Sequence, residues 1–338
     1  MALSYSKIDI RGVAFKDVLG EVLFDNNTLE EGLVTFADDI KANTIFTDTG
    51  HTVVLQQYSS GAPTPMGTIG IKDTLITPKK FTAYDEFNME DLRTGRFSRD
   101  MKPGAWNMTS SEFESAVLNG VSPYVSLAAE QLFWNAATAA TKTAVAALTA
   151  NDADPLAISV AQQAYVAAAP TGLSDGIITK LIYNNWGTPS VGARKRVIGT
   201  TITSANIFTE YGKAYTSTPS SVLHSKTDKP YIYAPYSHLA MINQFNTNNT
   251  YKSDVFVVDM VNQRFFFQGL EIKFVPTPEN CILISSKKHL VWCTDLTDDL
   301  LYIEVNKKQN NADDMFYKFV FLQESHVRNQ KFQTLYLG

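Results

Sequence analysis

The residues that could make this chain an enzyme are few and scattered. Two segments match the Ser-x-x-Lys pattern, in which a lysine can activate a serine nucleophile: Ser4 with Lys7, and Ser285 with Lys288. One copy lies in a predicted arm and the other in a tight turn, and the pattern is too short to be specific. The sequence contains no phosphate-binding loop and no dinucleotide fingerprint. We therefore predict no enzyme activity, no catalytic residue and no cofactor.

Residue types that bind metals also lack the required spacing. Cys281 and Cys293 flank a basic turn and could face each other across a hairpin, but no further zinc ligands accompany them. Two cysteines in a chain of this size are more typical of small buried side chains than of a disulfide scaffold. Asp295, Asp298 and Asp299 do not follow the pattern of a calcium loop and fit solvated turn carboxylates. The histidines are dispersed: His51, His224, His238, His289 and His326. The sequence therefore predicts no metal site.

Composition narrows the class of protein. The 338 residues are 44% hydrophobic and 19% charged, which indicates a folded chain of one large or two modest domains. A net charge of −5 argues against a protein that wraps nucleic acid, but it is compatible with a container whose inner wall faces DNA. No apolar run reaches about 18 residues, so no membrane span is predicted.

The N-terminal part of the chain predicts an arm, a hairpin and a basic loop. Residues 1–50 have no core of their own, and a helix is predicted from Thr28, which forms a capping box with Glu31, to Asn43. The apolar stripe of this helix consists of Leu29, Leu33, Phe36 and Ile40. Strand-forming residues around a Ser/Gly/Pro turn favour a long β-hairpin within residues 51–92. The four basic residues of the segment 93–108 fit a solvated turn, a contact with a neighbouring subunit, or a contact with DNA.

Helical patterns follow. An apolar stripe begins at Phe113 and continues through Ala128 and Leu132 to Ala136, across Gly120 and Pro123. It predicts either a short helix followed by a long one that runs to about residue 148, or one kinked helix. Two further helices are predicted, one from residue 154 to about residue 168 and one from residue 175 to about residue 186.

The C-terminal half is rich in strands. Strands are predicted at Leu270–Val275, Cys281–Ile284, Leu301–Val305 and Met315–Gln323. The last of these is apolar on both faces, which is typical of a central strand. Its aromatic residues, together with those of Phe265–Phe267, are predicted to lie in the core rather than in a ligand cage.

Three segments, in this order, resemble those of the major capsid proteins of tailed bacteriophages, which have the Hong Kong 97-type fold. TLITPKKFTAYDEFNMEDL, residues 74–92, resembles the end of the extended loop in that family. SLAAEQLFWNAA, residues 126–137, resembles the spine helix of the peripheral domain. GLEIKFVPTPENCILISSKKHLVWCTDLTDDL, residues 269–300, resembles the segment by which the chain leaves the axial domain.

The resemblance implies an α+β fold with five parts. These are an N-terminal arm (residues 1–50), an extended β-hairpin loop (51–92), a peripheral domain with the spine helix (93–150), an axial domain (151–294) and return strands of the peripheral domain (295–338). The contacts between subunits that it implies involve the arm and the extended loop. The expected contact residues are Phe15, Phe36, Tyr58, Pro65, Met66, Lys72, Lys79 and Lys80.

The same resemblance implies a function. The chain is expected to assemble as hexamers and pentamers into the icosahedral shell of a virion, inside the host bacterial cytoplasm, and to enclose double-stranded DNA without reading its sequence. The expected partners are a portal, possible cement or decoration proteins, and a separate scaffolding protein. The last is expected because no long charged helical segment begins the chain; the alternative is a mature form that has already been trimmed, and Met1 favours the former. Some members link a loop lysine to an asparagine of a neighbour, for which Asn306, Asn310 and Asn311 would be the possible acceptors here. Most members do not make this link, so none is expected. The alternatives are an encapsulin-like compartment or, in a different class, an enzyme or β-rich binding module.

Overall fold

A computed structural model describes residues 27–38, 40, 44–52, 68–88, 111–153, 157–183, 195–248, 256–259, 262–294, 302–307, 314–328 and 332–338. The helices are α1 Asn27–Glu30, α2 Ser111–Asn135, α3 Ala139–Ala146, α4 Val160–Ala168, α5 Ile177–Tyr183, α6 Ile207–Ser217, α7 Ser220–Leu223 and α8 Ser237–Asn248. The strands are β1 Thr35–Ala37, β2 Thr44–Thr52, β3 Thr68–Ile76, β4 Lys79–Asn88, β5 Lys195–Ile198, β6 Tyr231–Ala234, β7 Phe256–Asp259, β8 Arg264–Phe267, β9 Leu270–Phe274, β10 Cys281–Ser285, β11 Leu290–Cys293, β12 Tyr302–Lys307, β13 Asp314–Val327 and β14 Thr334–Leu337. Within these ranges, no helix is both long and apolar enough to cross a lipid bilayer.

A seven-stranded mixed sheet forms the first core, in the order β5-β14-β10-β6-β9-β8-β7. Strand β10 is buried along its whole length because both of its faces are covered. Ile282 and Ile284 point into a core that includes α6 and α8, whereas Leu283 points into a second core that includes α2 and α5. The continuous apolar run at this position therefore reflects a strand with a core on each side.

The second sheet is built around β13, which pairs with β11 through its later residues and with β12 and β4 through its earlier ones. This pairing confirms the prediction of a central strand. The predicted aromatic core separates into two parts, because Phe319 is buried in this sheet and Phe267 in the seven-stranded one. Cys281 and Cys293 likewise lie in different sheets, so they do not face each other across a hairpin, although both are buried and unbonded as small core residues.

Helix α2 is one continuous helix through Gly120 and Pro123, about 37 Å long at about 1.5 Å per residue. The predicted extension to residue 148 is wrong. The helix ends at Asn135, and Thr138 caps the separate helix α3 by accepting a hydrogen bond from the backbone N of Thr141. The buried face also differs from the predicted stripe, because Phe133 is fully buried whereas Leu132 is half-buried.

The predicted helix from Thr28 to Asn43 is also wrong. The segment forms only a single helical turn, α1, which ends at Glu30. Two residues later, Gly32 adopts a φ of +59°, which favours glycine and turns the chain away from a helix. The chain then forms β1, which pairs in parallel with β11, with Phe36 opposite Trp292. Leu33 is buried on the main core just before this strand, so tertiary pairing overrides the helical period of the apolar residues.

Two further helix boundaries differ from the sequence predictions. Helix α4 begins at Val160 rather than at residue 154, because Ser159 and Gln162 form its capping box, and it ends at Ala168 as predicted. Helix α5 begins two residues after Asp175. An ideal Cβ on Gly176 would lie 2.7 Å from the backbone N of Ala136, so glycine is needed where the start of α5 meets the end of α2.

The hairpin consists of β2 and β3, which pair over nine residues from Thr44 opposite Ile76 to Thr52 opposite Thr68. It therefore begins before residue 51, where the sequence placed its start. Pro78, which lacks an N–H for a ladder, separates β3 from β4. Strand β4 then joins the body by pairing with β13, as the resemblance to a strand that re-enters the body implies.

Candidate assembly surfaces

The residues of the later Ser-x-x-Lys match make other contacts. Ser285 is buried in β10 and its hydroxyl donates to the carbonyl of Ser286 at 3.2 Å. Lys288 forms an ion pair of 2.5 Å with Asp228. The earlier match, Ser4 with Lys7, lies outside the described residues. Among the residues that the structure does describe, no three His, Cys, Asp or Glu side chains are grouped to hold a metal ion.

The buried titratable groups of the seven-stranded sheet have structural contacts. His238 lies between the hydroxyl of Tyr211, at 3.0 Å, and the carbonyl of Glu279, at 2.7 Å. Burial lowers the pKa of His238 to about 4, so the ring is neutral at neutral pH. In the other sheet, burial raises the pKa of the Cys293 thiol of β11 to about 12, which keeps it protonated and unreactive.

Residues 27–37 are held on the body by polar contacts to three elements. Thr28 donates from its backbone N (2.9 Å) and its hydroxyl to the buried carboxylate of Glu130 on α2, and Trp134 Nε1 donates to the Thr28 hydroxyl at 2.9 Å. The Tyr233 hydroxyl donates to the carbonyl of Leu33 at 2.7 Å. Lys273 pairs with Glu31 at 2.9 Å. These contacts fix the point at which residues 1–26, outside the described part, join the fold.

The hairpin presents three large apolar residues on one face, where the exposed hydrogen-bonded pair of Thr47 and Asp73 lies between them. Ile45 and Leu75 are directly paired across the two strands, and Ile71 lies on the same face four residues before Leu75. Their exposed fractions are 60%, 59% and 68%. We call these three residues the hairpin strip. Sequence reasoning missed it, although Ile71 and Leu75 stand at alternating positions of a run of strand formers.

The opposite face of the hairpin is buried at its root. Phe46 and Ile76 pack against Ile40, Val291 and Cys293. A second exposed apolar strip lies on the spine helix α2, where Tyr124 is 74% exposed and Leu127, one turn later, is also exposed. We call this pair the helix strip. The body therefore anchors the hairpin at one end and leaves two apolar surfaces facing outward.

Of the eight contact residues expected from sequence, the four that the structure describes lie on three different strands. Lys79 and Lys80 are exposed at the start of β4, and Lys72 lies in β3, where its backbone is opposite Asp48. Phe36 is half-buried against the main core. The remaining four lie outside the described residues: Phe15, Tyr58, Pro65 and Met66. The basic residues of the segment 93–108 also lie outside them.

Comparison of this architecture with solved structures gives matches over nearly the whole chain. A chain of the satellite phage P4 procapsid, a particle that includes the size determination (Sid) protein, has a TM-score of 0.53 at 11% identity; the match covers 96% of this chain and 98% of that chain. The chain has a phage capsid fold. A chain of the native GTA particle capsid has a TM-score of 0.51 at 10% identity, and the match covers 100% of this chain and 95% of that chain. A chain of the capsid of Myoviridae phage XM1 has a TM-score of 0.51 at 10% identity, and the match covers 92% of this chain and 91% of that chain.

At the level of sequence, no family model matches the chain and no curated protein matches it. The α+β capsid fold expected from three short segments is nevertheless confirmed by the backbone.

Proposed function

We propose that this chain is the major capsid protein of a tailed phage, which assembles as hexamers and pentamers into the icosahedral shell around the genome. The observation that carries the proposal is the hairpin strip on a capsid fold. Ile45, Ile71 and Leu75 are large apolar side chains exposed on a two-stranded ribbon. An isolated ribbon of this kind is marginally stable in water, and burial of each side chain would contribute about 1.5–3 kcal/mol.

The geometry of the two strips favours a ring. The hairpin strip and the helix strip lie on different elements, so a contact between them joins unlike surfaces of two copies. Contacts between unlike surfaces generate closed rings when the rotation between copies closes. A hairpin strip laid over the helix strip of the next copy therefore fits the formation of hexamers and pentamers.

The expected division of the chain fits this role: arm (1–50), extended loop (51–92), peripheral domain (93–150), axial domain (151–294) and return strands (295–338). A net charge of −5 fits a shell that encloses DNA without reading its sequence. In this proposal the protein is not an enzyme, it assembles in the bacterial cytoplasm and ends in the virion. Its partners are further copies, a separate scaffolding protein, a portal and possible decoration proteins.

The test is assembly of the purified chain, alone and with the scaffolding protein encoded beside it. We expect particles of megadalton mass by sedimentation velocity and closed shells in negative-stain images. Ile71→Ser with Leu75→Ser should abolish the shells, because it removes most of the hairpin strip. Val160→Ser, at an exposed apolar position on α4, is the matched control and should assemble normally.

Two results would contradict the proposal. One is a wild-type chain that stays monomeric both alone and with the scaffolding protein. The other is normal shell formation by the double variant of the hairpin strip. Shells packed with a cargo enzyme instead of DNA would favour the encapsulin-like alternative.

A further inference from the structure

A cleft lies where the hairpin joins the body. Its volume is about 390 Å³, and it is lined by the end of β3, the start of β4, α5 and β13. We call it the root cleft. It is bordered by Leu75, a member of the hairpin strip, so it is continuous with the surface that the proposed function places against a neighbouring copy.

The acidic groups in the root cleft are already engaged. Asp175 accepts hydrogen bonds from the backbone N of Thr138 and from the hydroxyl of Thr141, both at 2.6 Å. Glu324 is paired with Lys180, which also donates to the carbonyl of Ser325. Each carboxylate is therefore neutralised or hydrogen-bonded within the same chain.

One polar atom in the root cleft has no such partner. His326 is 3% exposed, and its Nε2 makes no hydrogen bond within the described part of the chain. The ring lies 5.4 Å from the ring of Phe46, and the guanidinium of Arg328 lies 4.6 Å from that Phe46 ring. A buried nitrogen without a partner is costly, so a group that satisfies it would stabilise the structure.

The protonation state of His326 defines what it can bind. Burial, together with the charges of Lys180 and Arg328, lowers its pKa to about 3. The ring is therefore neutral at neutral pH and carries one N–H, which can be placed on Nε2 to donate to an acceptor.

The cations around the cleft favour a negatively charged acceptor. Lys79 is exposed at the mouth and forms no ion pair with any described residue. Two cations, Lys79 and Lys180, and two carboxylates, Glu324 and Asp175, line the cleft. Arg328 adds a positive charge that acts on His326, and a docked carboxylate would balance this additional charge.

We propose that the root cleft is a socket for a carboxylate side chain of a second copy of this chain, held by His326 Nε2–H and by Lys79. The inference rests on the proposed function, because the neighbouring copy is what covers the hairpin strip beside the cleft. The chain supplies the complementary group in excess, with 34 acidic against 29 basic residues. The docked carboxylate would fix the angle of the hairpin by locking its root to β13.

Two substitutions test the socket. Lys79→Met removes the cation at the mouth. His326→Phe removes the unpartnered nitrogen but keeps a ring against Phe46, so the unassembled chain should be as stable as the wild type or more stable. Each variant should raise the lowest protein concentration that gives shells by at least about tenfold, the size expected for the loss of one charged hydrogen bond. Lys226→Met, at an exposed lysine far along the chain, is the control and should leave that concentration unchanged.

The partner group can be identified by zero-length crosslinking. Shells made from a mixture of ¹⁴N- and ¹⁵N-labelled protein are treated with a carbodiimide, which joins a lysine amine to a carboxylate in contact with it. We expect a mixed-label peptide in which Lys79 is linked to an Asp or Glu, and we expect Lys79→Met shells to lack it.

Each remaining outcome rejects the socket. Wild-type shells without a mixed-label link, or variants that assemble at the wild-type concentration, would overturn it and leave the proposed function intact. Millimolar acetate or phosphate that stabilises the unassembled wild type but not His326→Phe, with assembly unchanged in both, would assign the cleft to a free anion. A wild type that forms no shells would remove the proposed function and this inference together.

Discussion

Strands β10 and β3 contain the same kinds of residues in opposite surroundings. Ile284 of β10 is fully buried, with β6 and β14 on either side and helices over the sheet. Ile71 of β3 is 68% exposed on a ribbon with one pairing partner. The first isoleucine stabilises the single chain, whereas the second can contribute only when another molecule covers it. Residue type thus says less about the role of a strand than the number of its neighbours does.

The largest expected effect on stability is at the buried isoleucine, Ile284 of β10. Ile284→Ala should lower the free energy of unfolding of the unassembled chain by about 2–5 kcal/mol, because a cavity remains where the side chain packed. Urea denaturation followed by circular dichroism measures this change. A loss below about 1 kcal/mol would show that the sheet can close around the cavity and that β10 is not a rigid core.

A polar network in the same sheet should give the next largest effect. Glu210 accepts hydrogen bonds from Tyr336 (2.5 Å) and Lys213 (2.8 Å). Burial alone would raise the pKa of Glu210, but these bonds, together with the charge of Lys213 and the Thr200 hydroxyl, outweigh it and hold the pKa below its usual range. Glu210→Gln should therefore cost about 1–3 kcal/mol at neutral pH.

The sign of the pH dependence follows from the lowered pKa. The stabilisation by the Glu210 carboxylate is fully present above the unfolded-state pKa of about 4.3 and is lost as the pH falls through the lower folded-state value. The difference in unfolding free energy between wild type and Glu210→Gln should shrink as the pH is lowered below about 4. A difference that stays constant from neutral to acidic pH would mean that the carboxylate charge does not matter.

Much of the buried part of the fold could be predicted from sequence. The period and burial of Leu270–Val275, Cys281–Ile284 and Met315–Gln323 are set locally, because each strand is apolar where the sheets cover it. The position of the spine helix could be predicted for the same reason, but its buried face and its end at Asn135 could not. What failed was pairing over long separations: Phe36 belongs to a strand because Trp292 lies opposite, and no local pattern contains that fact.

The candidate site was less accessible to sequence reasoning than the fold. The root cleft joins residues near positions 77, 180 and 325, which no spacing rule connects. Lys79 was selected from the resemblance, but its position beside His326 and Glu324 depends on the pairing of β4 with β13. The hairpin strip was missed because the first strand of the hairpin, which begins at Thr44 and contains Ile45, was assigned to the arm.

A smaller effect is expected at a turn of the seven-stranded sheet. Gln268 and Gly269, between the paired residues Phe267 and Leu270, have φ values of +48° and +84°, the signs of a type I′ turn. Asparagine tolerates this conformation better than glutamine. Gln268→Asn should raise the unfolding free energy by several tenths to about 1 kcal/mol, measured by the same denaturation. An unchanged or lowered value would mean that the turn is not strained.

The smallest effect on the single chain should come from the hairpin. Ile71→Ser should change the unfolding free energy of the unassembled chain by no more than about 0.5 kcal/mol, because the side chain is exposed there. The same variant should nevertheless weaken shell formation, measured by sedimentation velocity. A large loss of monomer stability, or an unchanged yield of shells, would remove the contrast between β3 and β10.

The position of β14 has a consequence for synthesis in the cell. Residues 334–337 form an inner strand of the seven-stranded sheet, between β5 and β10. Until residues 334–337 have been translated, β5 and β10 therefore have no strand between them, and their unpaired edges are open to other chains. The sheet closes only after residue 337 has emerged, so a chain interrupted earlier cannot present a finished subunit. Translation itself would then keep incomplete copies out of the particle, and chaperones would have to shield those edges until the last strand arrives.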